Sequence, residues 1–400
     1  MKKEQLNRAV IIAMTFFFWL SAYPYVPIIS AYARSLGADA TMIGLIGGAY
    51  GLSMMLLRLP VGILSDRLGR RKIFIVLGVV GALLAAAVVI FHPSPAALFV
   101  CRIFCGVQAS AWVPYTVLYA HSYPPEQSAK AMSVLTPVFT LAQLISMLAG
   151  GILADRFTYL APFWLALAGS VLFLVLSPAM KDIPKEELPA RAPASAEDEP
   201  RRGLLPGLKS VLTARLCLLT LVATLAYYLK YATAFTFTPL IAKDLGASDA
   251  ALGYLNTIYC ACGIVGGAIA YPVARRCGAA RTMVGALAGL AVFSCFIVPY
   301  LPNLPLVYVS IGLAGFFTIL LDGLLAGLVI KGVEERHRTT AMGFYQAVYG
   351  LGILLGPVIS GRVTDMAGGS MAPAYILSGI LTLLTAAVVL LWNRKEKITI

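Results

Sequence analysis

Four ionisable side chains stand inside long apolar stretches of this 400-residue sequence: Arg58, Arg102, Lys230 and Asp322. A charge held in hydrocarbon costs about 2.5–3.5 kcal/mol or more, so it persists where it handles an ion, a proton or a charged substrate. Asp322, in ILLDGLL, is the only acid so placed and the natural carrier for a proton. Lys230, in AYYLKYATAF, suits either an anionic group or an ion pair with Asp322. Arg102, in LFVCRIFCGVQASA, would hold an anion, although a place about six residues from the end of its run also lets the side chain snorkel outward. Arg58 is equally open to a gating, a structural or a substrate-contacting part. Bases outnumber acids among the four, which favours a ligand bearing a carboxylate, a phosphate or a similar group. Aromatic residues at comparable depth (Trp19, Tyr23, Trp112, Tyr115, Tyr227 and Phe235) suit an amphiphilic ligand, or serve as core and interfacial belt.

A second concentration of charge is GILSDRLGRRK, residues 62–72, with Asp66, Arg67, Arg70, Arg71 and Lys72 together and Arg58 one turn upstream. Basic residues at a membrane surface orient a helix, which accounts for part of this run. An aspartate between Gly62 and Gly69 asks for more, because glycine permits close helix approach and a tight turn. Other chemistry is poorly represented. Cys101, Cys105, Cys217, Cys260, Cys262, Cys277 and Cys295 lie in or beside apolar runs without His or carboxylate company, so they read as core thiols rather than metal ligands. His92, His121 and His337 fall at loops or helix ends, and no nucleophile elbow or phosphate loop is present. No enzymatic activity, metal or cofactor is expected.

Membrane-spanning helices must position these groups. At 60% apolar and 12% charged, with a mean hydropathy of +0.85, the chain does not resemble a soluble protein. Apolar runs near 9–33, 42–64, 73–91, 96–120, 131–153, 160–180, 211–241, 250–273, 282–300, 305–330, 341–363 and 373–392 predict twelve transmembrane helices. Each suffices for a hydrocarbon core of about 30 Å at 1.5 Å per residue. The expected class is an all-α polytopic membrane protein. The first run has a basic start and ends in Ala31-Tyr32-Ala33 like a secretory signal, but it is too long for one and has a counterpart later in the chain.

A net charge of +13 could indicate nucleic acid, but its distribution does not. Basic residues crowd alternate loops, as at Arg67–Lys72, Lys181–Arg215, Arg275–Arg281 and Arg394–Lys397. The intervening loops hold only Arg34, Arg156, Lys243 and Arg362. This is the positive-inside pattern, which puts both termini in the cytoplasm of a multi-pass cell-membrane protein. Residues 181–210, rich in Pro, Ala and charge of both signs, read as a cytoplasmic tether between six-helix halves at 1–180 and 211–400. The halves are related. LGADATMIG at 36–44 matches LGASDAALG at 245–253 with an offset of 209, and an offset of 210 pairs AMSVL with AMGFY, Gly151 with Gly361 and Asp155 with Asp365. Two pseudo-symmetric bundles around a central site are the architecture of a secondary transporter.

With these residues in view, GILSDRLGRRK resembles the signature loop of the major facilitator superfamily, on the right loop of a six-plus-six repeat, and the resemblance covers the whole chain. It implies that the first, fourth, seventh and tenth helices line a central cavity, which would bring Arg102, Lys230 and Asp322 together. It also implies that Asp66 meets the N-terminus of the eleventh helix, where a carboxylate is favoured by the dipole. Arg70 and Arg71 would then pair with acids such as Glu126, and Gly62, Arg58, Arg67 and Gly69 would belong to the same latch, closed only in the outward-open state. Arg275 takes the aspartate's place in the second half, so its latch should be weaker. Arg102 followed by Gly106 is similar to a fourth-helix motif of drug/proton antiporters, in which the arginine is linked to proton coupling. Pro24-Tyr25-Val26-Pro27 resembles a Pro-x-x-Pro element of the twelve-helix antiporters. Their Gly-Pro on the fifth helix is replaced here by Ser146-Met147, with Gly150 and Gly151 retained; Gly356-Pro357 stands on the eleventh helix instead.

The expected function is proton-coupled export of a small amphiphilic, anionic organic compound by alternating access, with protons, the substrate and lipid as partners and a monomer as the working unit. Proton-coupled uptake of an organic anion and lipid flipping are the alternatives within transport. A membrane sensor or scaffold without a transport cycle is the alternative outside it, and it would need neither latch nor embedded charges.

Overall fold

The computed structural model describes residues 2–123, 128–183, 212–331, 333, 335–396 and 398. All regular structure among them is helical, since a chain in lipid must satisfy its own backbone hydrogen bonds. Among the described residues eleven helices are long and apolar enough to cross a membrane. The second to sixth spans are Ala40–Ser65, Arg71–Phe91, Pro95–His121, Val134–Arg156 and Ala161–Ala179. The seventh to twelfth are Ala214–Asp244, Asp249–Cys277, Ala279–Tyr300, Leu304–Ile330, Ala341–Met366 and Ala372–Lys395. Residues 184–210, most of the expected tether, lie outside the described residues, as do Glu126 and the side chains of Asp66 and Arg67.

The first expected span takes a different form. It is a helix Lys2–Leu20 and a short helix Ile29–Ser35, with turns at 21–28. Pro24 and Pro27 sit in the gap and each removes a backbone donor, so an unbroken helix is not available. The path still runs straight through. Thr15 donates to the Tyr115 hydroxyl at 3.0 Å, Gln108 donates to Ser21 at 2.7 Å and Tyr25 meets Cys105 at 2.5 Å. Residues that rise along the first span therefore meet falling numbers on the fourth, as in an antiparallel pair. With this broken crossing the molecule has two bundles of six.

Local chemistry sets several helix starts. Ser94, Thr213, Ser248 and Asn303 each accept a hydrogen bond from the N–H three residues on, at 3.1–3.2 Å. Pro95 and Pro305 occupy first-turn positions whose N–H would be idle anyway. Besides the broken first span, three are irregular: the ninth passes into a π-helix over Ala291–Phe296, and two others change near mid-length. The fourth breaks at Ala111, three residues before Pro114, and the seventh widens to a π-helix over Lys230–Phe237, just ahead of Pro239. The wider turn gives the proline ring room against the preceding carbonyls.

The bundles meet along two seams. At the first, the second span lies on the eleventh: Gly44 sits against the Pro357 carbonyl, where a Cβ could not fit, and further along Gly350 faces Met55 and Gly343 faces Leu59. At the other seam, Gly151 of the fifth span lies on Gly253 of the eighth, backbone to backbone. Small residues let helices approach where lipid offers no hydrophobic drive to associate.

Candidate functional site in the cavity between the bundles

A cavity of about 870 Å³ lies between the bundles at mid-depth. Its wall includes Arg58, Arg102, Lys230 and Asp322, so the tertiary structure gathers all four embedded charges. Trp19, Tyr23, Trp112, Tyr227 and Phe235 line it too.

Each charge has a distinct setting. Arg102 is almost fully buried beside Cys105, with its guanidinium carbon 4.9 Å from the centre of the Tyr50 ring. Its Nε has no hydrogen-bond partner. Arg58 directs a guanidinium nitrogen to the Met54 sulfur at 3.6 Å, and its Nε is likewise unpartnered. The Lys230 ammonium lies among three rings, 5.5 Å from Tyr227, 5.7 Å from Phe235 and 6.0 Å from Tyr231. The widened π-helical turn presents Lys230 and Phe235 on one side of the seventh span. Asp322, on the tenth span, is approached by the Tyr227 hydroxyl and feels the Lys230 charge, but no direct ion pair joins the two. One carboxylate oxygen of Asp322 is unpartnered. Buried polar groups without partners cost about 1–3 kcal/mol each, so this wall is built to receive something polar.

Aromatic rings frame the charges. Trp19, Trp112 and Phe139 form one cluster in the first bundle, with centroids 4.7–5.8 Å apart. The Trp19 indole N–H is buried without an acceptor. In the second bundle Tyr227 stacks on Tyr349 at 4.0 Å and 8°. Between the bundles Tyr50 stacks on Tyr231 at 5.8 Å and 15°.

Other expected residues fall elsewhere. Tyr115 is fully enclosed in the first bundle, donating to the Ile11 carbonyl at 2.7 Å, and it does not reach the cavity. Its hydroxyl is consumed by a local hydrogen bond, so this correction follows from helix orientation rather than depth. Arg58, grouped with the gate on sequence grounds, lies in the cavity wall. Gly69 supplies the left-handed turn after the second span with φ +59°. Arg70 is exposed, and the N-terminus of the third span is capped by Asp182, which accepts from the Lys72 N–H at 3.2 Å. Gly62 leaves ordinary contact distance to Val113. Sequence reasoning missed Tyr50, Phe139 and Tyr349. An aromatic next to glycine, as in AYG at 49–51 and VYG at 348–350, was the available signal for the two tyrosines.

At the face opposite the basic loops the bundles are tied together. Asp365, ending the eleventh span, accepts from the N–H groups of Ala40 and Thr41 at 3.1 and 2.7 Å and from the Thr41 hydroxyl. Asp155, ending the fifth, accepts from the Asp249 N–H at 3.0 Å. Arg34 pairs with Asp244 at 2.8 Å. The cavity is therefore sealed at this face.

Two related helical bundles enclosing a charged, aromatic-lined cavity at mid-membrane, closed at one face, define a transporter rather than an enzyme. The chain belongs to the Major Facilitator Superfamily, whose profile matches residues 11–240 and 216–399. It is similar to an MFS-type transporter of Methanocaldococcus jannaschii, MJ1560, at 32% identity over 165 residues, 41% of this chain and 42% of that one. The match thus spans less than half of that relative's length. A second relative, the MFS-type transporter YceJ of Bacillus subtilis, is 26% identical over 84% of this chain and 83% of its own. The quinolone resistance protein NorA of Staphylococcus aureus is 25% identical over 40% of this chain and 41% of its own. Among solved structures, a bacterial homologue of the human lysosomal transporter Spinster, inward-facing and occupied, superposes with a TM-score of 0.78 at 14% identity, over 98% of this chain and 97% of that one.

Proposed function

We propose that this protein is a proton-coupled secondary transporter of a small amphiphilic organic anion, working by alternating access in the cell membrane with both termini in the cytoplasm. The observation that carries this reading is the charge set of one cavity: Arg58, Arg102 and Lys230 against the single carboxylate of Asp322. Arg102 and Arg58 supply fixed positive charge for the anionic group. Asp322 is the proton site, and Lys230 links the two because it answers either to the Asp322 carboxylate or to the substrate anion. The aromatic wall takes the apolar body of the substrate. With the basic face in the cytoplasm, the sealed face is external, and the cavity is poised towards the interior.

Export is the direction suggested by the likeness to NorA and by Pro24-Tyr25-Val26-Pro27. Uptake by symport is the second reading, and the relation between Lys230 and Asp322 favours it. A proton on Asp322 removes the negative charge that Lys230 faces and leaves its positive charge for an anion, so proton and anion assist one another's binding. The deciding experiment follows proton movement into proteoliposomes challenged with amphiphilic anions and cations, for the intact protein and for Asp322→Asn. Anion-driven proton flux that vanishes in Asp322→Asn supports the reading. Flux opposite to the substrate means antiport, and parallel flux means symport. Unchanged flux in Asp322→Asn removes Asp322 from the coupling role.

A further inference from the structure

The imbalance of charge in the cavity belongs to one bundle. Lys230 and Asp322, one base and one acid, both come from the second bundle, and Asp322 is the only acid among the described lining residues. Arg58 and Arg102, on the second and fourth spans, both come from the first bundle and meet no carboxylate among the described residues. Tyr50, Met54 and Arg58 follow one another at helical spacing along one face of the second span, and all three line the cavity. Arg58 turns back one turn to reach the Met54 sulfur at 3.6 Å, and Arg102 lies over the Tyr50 ring one turn further on. The Tyr50 hydroxyl sits in the field of both guanidiniums. The two cations are thus brought within about one helical turn of each other along the span. Each keeps a buried Nε without a partner, and Arg102 is only 6% exposed.

We infer that the first bundle holds a dianion: the substrate carries one compact, doubly charged head group, a phosphate monoester or phosphonate, bound between Arg58 and Arg102. This rests on the transport reading and narrows its substrate class. With Lys230 and Asp322 offsetting one another, two positive charges remain for the ligand. A single carboxylate or sulfate would neutralise one guanidinium and leave the second uncompensated in a buried wall, which is costly. A phosphate monoester balances both, and its three acceptor oxygens suit the forked donors of two arginines. Two carboxylates spread along a chain fit less well, because both guanidiniums converge on one residue, Tyr50. The body of the ligand finds its surface on the same bundle. Tyr23 lies in the field of Arg102 and packs on Trp19 at 5.3 Å, and Trp19 leads on to Trp112 and Phe139. Head and body are therefore held by the first bundle, while the proposed proton site is on the second.

The test varies charge at nearly constant shape. 1-Naphthyl phosphate is a dianion at about pH 8, since the second pKa of a phosphate monoester is about 6. 1-Naphthyl sulfate and methyl 1-naphthyl phosphate carry one charge on almost the same frame. Binding heats of the three are measured at that pH on the intact protein in nanodiscs. The expected result is that the phosphate monoester binds roughly ten- to hundredfold tighter than either monoanion. Arg58→Gln and Arg102→Gln should each bring that ratio close to unity, while Lys230→Gln should keep it. Equal affinity for the three ligands in the intact protein overturns the dianion and leaves transport of an amphiphilic anion standing. A preference that survives both arginine variants and disappears in Lys230→Gln overturns the assignment to the first bundle. Binding of 1-naphthylmethylammonium with none of the three anions overturns the dianion and the anionic reading together. The ligand comparison needs no variant, so a substitution that fails to fold still leaves the proposal open to refutation. Proton flux in Asp322→Asn is read separately and reports the coupling.

Discussion

Asp365 and Thr41 lie on different bundles and 324 residues apart, yet the aspartate receives both the backbone N–H and the hydroxyl of the threonine. The second span begins at this point, so a carboxylate of one bundle caps a helix of the other. Asp155 does the same for the eighth span through the Asp249 N–H. The two aspartates are equivalent under the internal repeat, and the helix starts they cap are the LGADATMIG and LGASDAALG segments. A carboxylate at an N-terminus satisfies idle donors and meets the positive end of the dipole. The pair therefore acts as a double latch that exists only while this face is closed.

Removing either cap should favour opening of that face. Asp155→Ala or Asp365→Ala is expected to cost the closed state about 0.5–2 kcal/mol, roughly a two- to thirty-fold shift in the equilibrium. Because the caps lie on separate seams, the double variant should show the sum. Spin-label distances across the face would report it, and an unchanged distance distribution in the double variant would sink the latch.

The close approach behind that face is tested at Gly150. A Cβ there would collide with the Pro24 carbonyl, a backbone atom in the break of the first span. Gly150→Val should lower the melting temperature in detergent and abolish transport, since an overfilled contact costs about 1–3 kcal/mol. Gly285→Val, where nothing lies within 4 Å, should leave both unchanged. Equal behaviour of the two variants would show that the contact at Pro24 yields freely.

In the cavity wall the Tyr50 ring face lies 4.9 Å from the Arg102 guanidinium carbon, at the proposed anion site. Tyr50→Phe keeps an aromatic face and should bind an anionic probe within about twofold of the parent, whereas Tyr50→Leu should lose about 0.5–2 kcal/mol of affinity. Titration of Trp19 and Trp112 fluorescence with the probe measures this directly. Arg102→Lys should not restore binding lost in Arg102→Ala, because an ammonium does not reproduce the planar guanidinium on a ring.

Tyr227 has two jobs that substitution can separate. Its ring stacks on Tyr349, and its hydroxyl approaches Asp322. Tyr227→Phe should preserve thermal stability while altering the ratio of protons to substrate moved. Tyr349→Leu should cost stability as well, by about 0.5–1.5 kcal/mol for the lost ring pair. A normal coupling ratio in Tyr227→Phe would show that the hydroxyl takes no part in the proton site.

Much of the architecture was legible in the order of residues. Apolar runs long enough to span a bilayer marked all twelve crossings, eleven of which are unbroken membrane-length helices among the described residues, and the repeat at offsets of 209 and 210 relates the halves. Arg58, Arg102, Lys230 and Asp322 stood out because a charge inside an apolar run is costly wherever the helix faces. Tyr115 was misplaced for the opposite reason: its depth was right, but depth does not give the azimuth, and its hydroxyl turns inward to Ile11. Tyr50, Phe139 and Tyr349 were missed because one aromatic among many carries no energetic flag.

The sequence by itself determined what is local or cumulative: which segments cross the membrane and which embedded groups must be accounted for. Only the tertiary structure decided which residues meet. It placed Asp155 and Asp365 on helix starts of the opposite bundle and gathered four charges from four helices into one cavity. The physical reason is that lipid offers no hydrophobic drive to order one helix against another. Pairing therefore depends on close contacts and hydrogen bonds between residues hundreds of positions apart, and periodicity along the chain does not record those partners.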